Sequence, residues 1–374
     1  MKYLCYYDYN QGGHPSRSNS PASATKILYV AKCMAEIEPT EIVSASGVLG
    51  ANSDSARVDC ITKQLSIRYF FSIGRKNKIL GKLSTALVQM QLFLYLLFNV
   101  SKNETIIVYH SLAYMNLVQI AKKIKGFRLV LEVEEIYADV IGDAKIRQKE
   151  IAAMKKANAY ILATEALSKQ IPAGRPYIVV NGTYQSEPPH NVHFDDDKIH
   201  CVYAGTFDPT KGGAAAAAAA AEFLPQNYHV HILGFGSEEQ TENLKKQIAE
   251  VQKTAKCTLA YDGLKSGEEY IQFLQKCHIG LCTQIPDAKY TETSFPSKVL
   301  VYLANGLRVL SVRIPAVEQS DVGDMLYYYD EQKPEKIAEA IQSIDMNLPY
   351  DSRERLEMLD IKATKDIQEL LKEI

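Results

Sequence analysis

Short apolar runs alternate with segments of helical periodicity along the whole chain. Tyr3–Tyr7, Ile106–Tyr109, Leu129–Val133, Ala159–Leu162 and Tyr177–Val180 are continuous apolar runs of strand length, the pattern of strands covered on both faces. Amphipathic stretches such as Leu112–Lys125 separate them. After the loop Gln185–Asp197 the alternation restarts with His200–Ala204, His229–Leu233, Cys257–Tyr261, His278–Cys282 and Arg308–Val312. Parallel strands need crossovers of helical length, so the alternation predicts an α/β fold of two doubly wound, Rossmann-like domains. The segment Glu187–Asp197, rich in proline and acid, is the expected solvated boundary, which divides the chain into residues 1–187 and 188–351. Residues 352–374 place Leu356, Leu359, Ile361, Ile367, Leu370 and Leu371 among charges, so they are expected to form an amphipathic helix that returns to the first domain.

Two stretches break the alternation. Ala214–Ala221 is an unbroken alanine run, read as a helix whose small side chains let it lie close to its sheet. Arg75–Lys82 leads into Leu83–Val100, which carries no charge but places Gln89 and Gln91 near its middle. That length is marginal for crossing hydrocarbon. A helix half buried in the first domain is expected instead, with residues 68–100 offering lysines and an apolar face to an anionic membrane surface. The opening residues reach Asp8 too soon for a signal peptide and read as a first strand.

Composition sharpens this picture in two ways. The net charge of −2 hides a basic segment: no acid occurs between Asp59 and Glu104, while Lys63, Arg68, Arg75, Lys76, Lys78, Lys82 and Lys102 fall there. The basic surface is assigned to a membrane, and no nucleic-acid partner is expected. The seven cysteines form no CxxC pair, which favours a reducing, cytoplasmic setting. Cys277, His278 and Cys282 lack a second ligand pair, so no metal site is expected.

Candidate chemistry gathers at strand ends in the second half. Ala204-Gly205 ends one strand and leads through Lys211-Gly212-Gly213 into a helix, where glycine permits close approach to a phosphate and lysine adds a point charge. Gly234-Phe235-Gly236 and Asp262-Gly263 end two more strands. Ser294-Phe295-Pro296-Ser297-Lys298 opens a short apolar helix that Asn305-Gly306 stops. Its N–H groups, the hydroxyls of Ser294 and Ser297 and the Lys298 ammonium are expected to converge on a phosphate or diphosphate. All four features would lie on the carboxyl edge of one parallel sheet, where open sheets bind ligands.

Taken in order and spacing, these segments resemble the nucleotide-sugar glycosyltransferases of the GT-B fold, specifically the retaining family four, over nearly the whole chain. The first half contributes Gln11-Gly12-Gly13-His14, Val108-Tyr109-His110, Glu132–Tyr137 and Val179-Val180-Asn181-Gly182; the second contributes Gly205 to Gly212, Leu233–Gly236 and Phe295–Gly306. The resemblance implies two domains facing a cleft, a nucleotide-sugar donor and no metal or other cofactor. It places the donor diphosphate on Gly205, Lys211 and the mouth formed by Ser294, Phe295, Pro296, Ser297, Lys298 and Val299. Gly234, Phe235, Gly236 and Asp262 would flank the base, and Gly12, Gly13 and His14 would meet the diphosphate or acceptor from the first domain. His110 and the cluster of Glu132, Glu134 and Glu135 are candidates to orient or deprotonate an acceptor hydroxyl, with Glu134, Glu135 and His110 as the candidate catalytic residues.

Three positions depart from the family pattern. Thr293 and Val301 stand where two glutamates are common, and Thr206 replaces a frequent arginine, leaving the phosphate charge to Lys211 and Lys298. The expected function is a hexosyltransferase that moves sugar to a hydroxyl of a growing, lipid-linked surface glycan at the inner face of the cell membrane. Retention follows from the resemblance alone. The departures leave open a non-catalytic sugar-nucleotide-binding subunit that supports a partner transferase, and the fold leaves open a sugar-nucleotide epimerase.

Overall fold

The computed structural model describes all residues except Asn10, Gln11, Asp287 and Ala288, so the first residue of the Gln11–His14 motif lies outside the described residues. The chain divides into two units, Met1–Thr183 with Lys362–Ile374, and Tyr184–Ile361.

In chain order the first unit contains β1 (Lys2–Cys5), α1 (Pro21–Ala35), β2 (Thr40–Ser44), β3 (Arg57–Cys60), β4 (Leu65–Tyr69), α2 (Lys78–Asn99) and β5 (Thr105–Tyr109). It continues with α3 (Met115–Lys125), β6 (Arg128–Val133), α4 (Tyr137–Ile141), α5 (Ala144–Met154), β7 (Ala159–Leu162) and β8 (Tyr177–Val179). The strands form one sheet in the order β3-β4-β2-β1-β5-β6-β7-β8, parallel except for the pair of β3 with β4. Apolar runs revealed β1 and β5 to β8. They missed β2 to β4, because this side of the sheet ends in an edge strand, β3, whose residues alternate between half-buried and exposed. The order reverses between β1 and β5, whose carboxyl ends therefore frame the crevice of a doubly wound sheet.

Helix α2 starts at Lys78, where the Asn77 side chain accepts a hydrogen bond from the Leu80 N–H at 2.9 Å. Ser84, Val88, Leu92, Tyr95 and Leu96 are buried against the core. The glutamines serve neighbouring backbone: Gln91 donates to the Phe71 carbonyl at 2.8 Å and Gln89 to the Ala113 carbonyl at 3.2 Å. On the other side Ile79, Leu83, Met90, Leu94 and Phe98, spaced three to four residues apart or in multiples of that, are 44–78% exposed.

The second unit runs β9 (Ile199–Thr206), α6 (Gly213–Ala220), β10 (Tyr228–Phe235), α7 (Glu238–Val251), β11 (Thr258–Gly263), α8 (Gly267–Lys276), β12 (Ile279–Cys282), α9 (Lys298–Ala304), β13 (Arg308–Val312), α10 (Pro315–Glu318), β14 (Tyr327–Tyr329) and α11 (Pro334–Gln342). Its strands pair in parallel in the order β11-β10-β9-β12-β13-β14, with the reversal between β9 and β12. The alanine run forms α6, and Ala214, Ala217, Ala218 and Ala220 are buried in it. Helix α9 is pinned to the sheet by Tyr302: its ring lies where a Cβ on Gly280 would sit, and its hydroxyl accepts the Ala204 N–H at 2.8 Å.

Two boundaries differ from expectation. The division falls after Thr183, and the acidic segment is no free linker. The Glu187 N–H donates to the Ala304 carbonyl at 2.9 Å, Gln275 bonds Pro188 and His190, and Phe194 stacks on His200. A long helix, α12 (Ser352–Glu373), spans the other boundary instead of starting there. Its first turn belongs to the second unit, where Ser352 donates to the Leu303 carbonyl and Arg353 to Asn305 and Glu187. Its last turns belong to the first unit, where Thr364 meets Cys33 and Gln368 donates to Glu36.

Candidate active site

In the second unit the carboxyl end of β9 meets Lys298, the first residue of α9. A Cβ on Gly205 would overlap the Lys298 Cε and Nζ, so only glycine leaves the ammonium its place there. Lys298 is half-buried, with its Nζ 5.1 Å from the centre of the Tyr203 ring. Burial pushes its pKa down, Cys282 partly offsets this, and the nearby charge of Lys211 pushes it down again. Lys211 lies on the loop after β9, where Asp208 accepts the Thr210 N–H and hydroxyl and the Lys211 carbonyl accepts the Ile285 N–H at 3.0 Å. Among the described residues neither lysine Nζ has a hydrogen bond or ion pair. Two neighbouring ammonium groups without a bonded counter-charge among the described residues, at the switch point of a parallel sheet, can compensate the charge of an anion.

The other expected donor residues are placed unequally. Ser297 already has helical backbone angles (φ −54°, ψ −24°), and its hydroxyl makes no capping bond to α9. Phe295 and Val299 are buried, and Ser294 and Pro296 are half-buried ahead of the helix. The site therefore rests on Lys298 itself more than on a capped helix mouth. Gly234 stands directly behind Gly205, whose carbonyl a Cβ would strike. Phe235 is half exposed, and Gly236 precedes a capping box in which Ser237 and Gln240 exchange hydrogen bonds at the start of α7. The Asp262 carboxylate is turned to His231, whose Nδ1 lies 3.0 Å away. Val301 is half-buried and Thr293 buried in this region of the chain.

In the first unit Gly12 and Gly13 both have positive φ (+87° and +79°) with open space around them, so conformation rather than crowding requires glycine. His14 is exposed, with Nδ1 3.2 Å from Asp54. The next turn is held by Arg17, a residue that sequence reasoning missed. Its buried guanidinium donates to Asp54 through Nε (3.0 Å) and Nη2 (2.7 Å), and to the Ser46 and Phe70 carbonyls. Burial alone would raise the Asp54 pKa, but hydrogen bonds from Arg17 and Arg57 overcome this and hold it below the ordinary value.

The predicted acid–base residues occupy three different environments. His110 follows β5, is 1% exposed, and donates through Nε2 to Glu150 at 2.7 Å. Glu150 also accepts the Tyr137 and Ala138 N–H groups, each at 2.9 Å, so the pair closes the start of α4. Glu132 is fully buried on β6 and accepts from the Tyr3 hydroxyl. Burial lifts its pKa to about 7 against the pull of Lys26. Glu134, just past the strand, is half-buried and accepts from Lys26 Nζ at 2.5 Å, while Lys26 also donates to the Val180 carbonyl at 2.7 Å. Glu135 beside it is half-buried.

No protein-family model and no curated protein matches the chain. Solved structures do. A UDP-forming α,α-trehalose-phosphate synthase from Burkholderia xenovorans, in complex with glucose-6-phosphate, aligns over 100% of this chain and 98% of its own with TM-score 0.70 and 10% identity. Anabaena HepE in complex with UDP and glucose aligns over 100% of both chains with TM-score 0.66 and 13% identity. A trehalose-6-phosphate protein from E. coli bound with UDP-2-fluoro glucose aligns over 100% of this chain and 97% of its own with TM-score 0.62 and 10% identity. The chain therefore has the GT-B fold, two Rossmann-like units, across its full length.

Proposed function

We propose that the chain is a glycosyltransferase that moves a sugar from a nucleotide-sugar donor to an acceptor hydroxyl. The observation that carries this reading is the pair Lys298 and Lys211 at the β9 switch point, two ammonium groups with no bonded counter-charge among the described residues. A nucleoside diphosphate leaving group needs such compensation, and the two lysines supply it without a metal ion. The solved neighbours were captured with UDP and glucose, UDP-2-fluoro glucose and glucose-6-phosphate, which supports a UDP-sugar-like donor. Retention is carried over from the family resemblance. On the acceptor side, Glu134, half-buried and bonded to Lys26, is the better placed of the candidate bases. His110 is turned inward onto Glu150 and acts by shaping the loop after β6.

Titration of the purified chain with nucleoside diphosphates tests this. Lys211→Ala and Lys298→Ala should each weaken binding by roughly tenfold or more, since a hydrogen bond to a charged group is worth about 1.5–3 kcal/mol. Parent-like affinity in both variants would refute the phosphate assignment. Val301 and Thr293 favour a second reading, a binding subunit without activity of its own; donor hydrolysis or transfer by the purified chain rules it out.

We further propose that the acceptor is lipid-linked and that α2 rests on an anionic cytoplasmic membrane face. The support is its exposed stripe of Ile79, Leu83, Met90, Leu94 and Phe98 beside Arg75, Lys76, Lys78 and Lys82. The parent should float with vesicles containing phosphatidylglycerol, and neutralising the four cations together should reduce that sharply. Equal flotation of the two removes electrostatics from the account.

A further inference from the structure

Four histidines gather on one face of the second sheet, away from the lysine pair. His200 on β9 is directly paired in register with His229 on β10, and His231 follows on the same face. His278, just before β12, accepts the His200 N–H at 3.0 Å and is thereby occupied. The other three are arranged differently. His200 Nε2 lies 2.7 Å from the Asp196 carboxylate, His200 Nδ1 lies 2.9 Å from His231 Nε2, and His231 Nδ1 lies 3.0 Å from the Asp262 carboxylate.

Counting protons exposes a conflict. Carboxylates only accept, so both outer nitrogens must carry the hydrogen. Each neutral imidazole has one hydrogen, so the two inner nitrogens face each other with bare lone pairs. A third nitrogen, Nε2 of His229, is buried and bonded to nothing among the described residues. One ligand nitrogen from each of the three rings falls within 4.8 Å of the others. One shared proton would join the two inner nitrogens but leave the His229 nitrogen unbonded, whereas one metal ion engages all three rings.

We propose that His200, His229 and His231 form a binding site for one divalent transition-metal ion, Zn²⁺ by ligand chemistry. Three imidazoles with a fourth position left open are a recurrent zinc donor set; Zn–N bonds of about 2.0–2.1 Å require the two inner nitrogens to part by about half an ångström and the His229 ring, stacked on His231 with centroids 3.9 Å apart, to turn its nitrogen toward them. The outer carboxylates of Asp196 and Asp262 fix tautomer and ring orientation, as carboxylates behind metal-bound histidines do. Lys198 is the nearby opposing charge, and its Nζ is engaged by Thr258 at 2.7 Å. Phe194 covers the cluster, with its ring 4.0 Å from that of His200. A cavity of about 470 Å³ lined by Asp196, His200 and His278 offers a path from solvent.

The site is structural. His200 lies five residues before Gly205, about 16 Å along the strand, so the ion takes no part in transfer. It clamps the segment carrying Phe194 and Asp196 onto β9 and β10.

The test uses untagged full-length protein. Elemental analysis after equilibration with Zn²⁺ and gel filtration should find one ion per chain, and Co²⁺ in its place should show the visible bands of a tetrahedral nitrogen site. His229→Gln, confirmed folded by circular dichroism, should abolish those bands and weaken Zn²⁺ binding at least 100-fold. Asp196→Asn, a change at a solvent-facing carboxylate, should weaken it about 10–100-fold. His193→Ala, an exposed control, should change neither. Zn²⁺ should raise the thermal midpoint of the parent and not of His229→Gln. Absence of stoichiometric metal, parent-like affinity in His229→Gln, or loss of binding in His193→Ala would each overturn the site. Nucleoside diphosphate affinity, measured on the same variants, stays at the parent value, which separates this outcome from that of the lysine test.

Discussion

The sharpest test of the first unit is Glu132→Gln. This carboxyl is buried beside Tyr3 and Lys26, and its pKa rises from the ordinary 4.5 to about 7. The unfolded chain releases the proton near the lower value and the folded chain keeps it to the higher one. Between them the folded state binds the extra proton, so this contribution is complete below about pH 4.5, falls as pH rises, and is gone above about pH 7. At about 1.4 kcal/mol per pH unit the whole span amounts to roughly 3 kcal/mol. Glutamine keeps the shape and an acceptor for Tyr3 but cannot ionise. The stability of the parent relative to Glu132→Gln should therefore drop by about 2.5 kcal/mol between pH 5 and pH 8. For a cooperative unit of 150–250 residues each kcal/mol moves the thermal midpoint by roughly 2–4 °C, so calorimetry across this range resolves it. Taking the difference between the two proteins cancels the histidines that titrate in the same window. A difference that stays flat with pH would show that the carboxyl ionises normally, and the reading of its environment would fail.

Two further perturbations address the other elements. Gly205→Ala puts a Cβ onto the Lys298 side chain and should lower nucleoside diphosphate affinity about tenfold or more while circular dichroism stays unchanged; unchanged affinity would mean that Lys298 is not the anion-binding group. Arg17→Met leaves the Ser46 and Phe70 carbonyls without their donor, while Asp54 keeps Arg57, and should cost about 1–3 kcal/mol for each unpaired carbonyl in urea unfolding, with faster proteolysis at the Gly12-Gly13 turn; Arg17→Lys should recover only part, because it lacks the planar fork.

What could be read from the sequence depended on whether the signal was local. Strands β5 to β8 were legible because both faces are covered, which makes them continuous apolar runs. Strands β2 to β4 were not: β3 is a half-buried edge paired with β4, which permits polar positions there, and the interior β2 has its apolar run broken by Thr40, Glu41 and Ser44. The glycine and lysine loop after β9 was legible because both residue types follow the strand end directly. Arg17 with Asp54 and His200 with His231 were illegible, since these partners lie 37 and 31 residues apart and nothing near either one announces the other. The Ser294–Lys298 stretch was half legible: its lysine is at the site, but the capping geometry that its serines and proline suggested does not form.

The run Glu132, Glu134, Glu135 shows the same limit in a form that bears on chemistry. Three acids within four positions look interchangeable in sequence, and only the fold separates them. One ammonium, Lys26, faces two carboxylates, 2.5 Å from Glu134 and 3.8 Å from Glu132. A single positive charge cannot compensate both in a buried setting, so the carboxyl with the larger desolvation cost keeps its proton. That is Glu132, with no exposed surface, and the charge of Glu134 in turn raises its pKa further. Glu134, with part of its side chain exposed, keeps the shorter bond to Lys26. Burial therefore separates two acids that look alike in sequence: Glu132 has a raised pKa and no exposed surface, while Glu134 is the open, lysine-bonded member that an acceptor hydroxyl can reach.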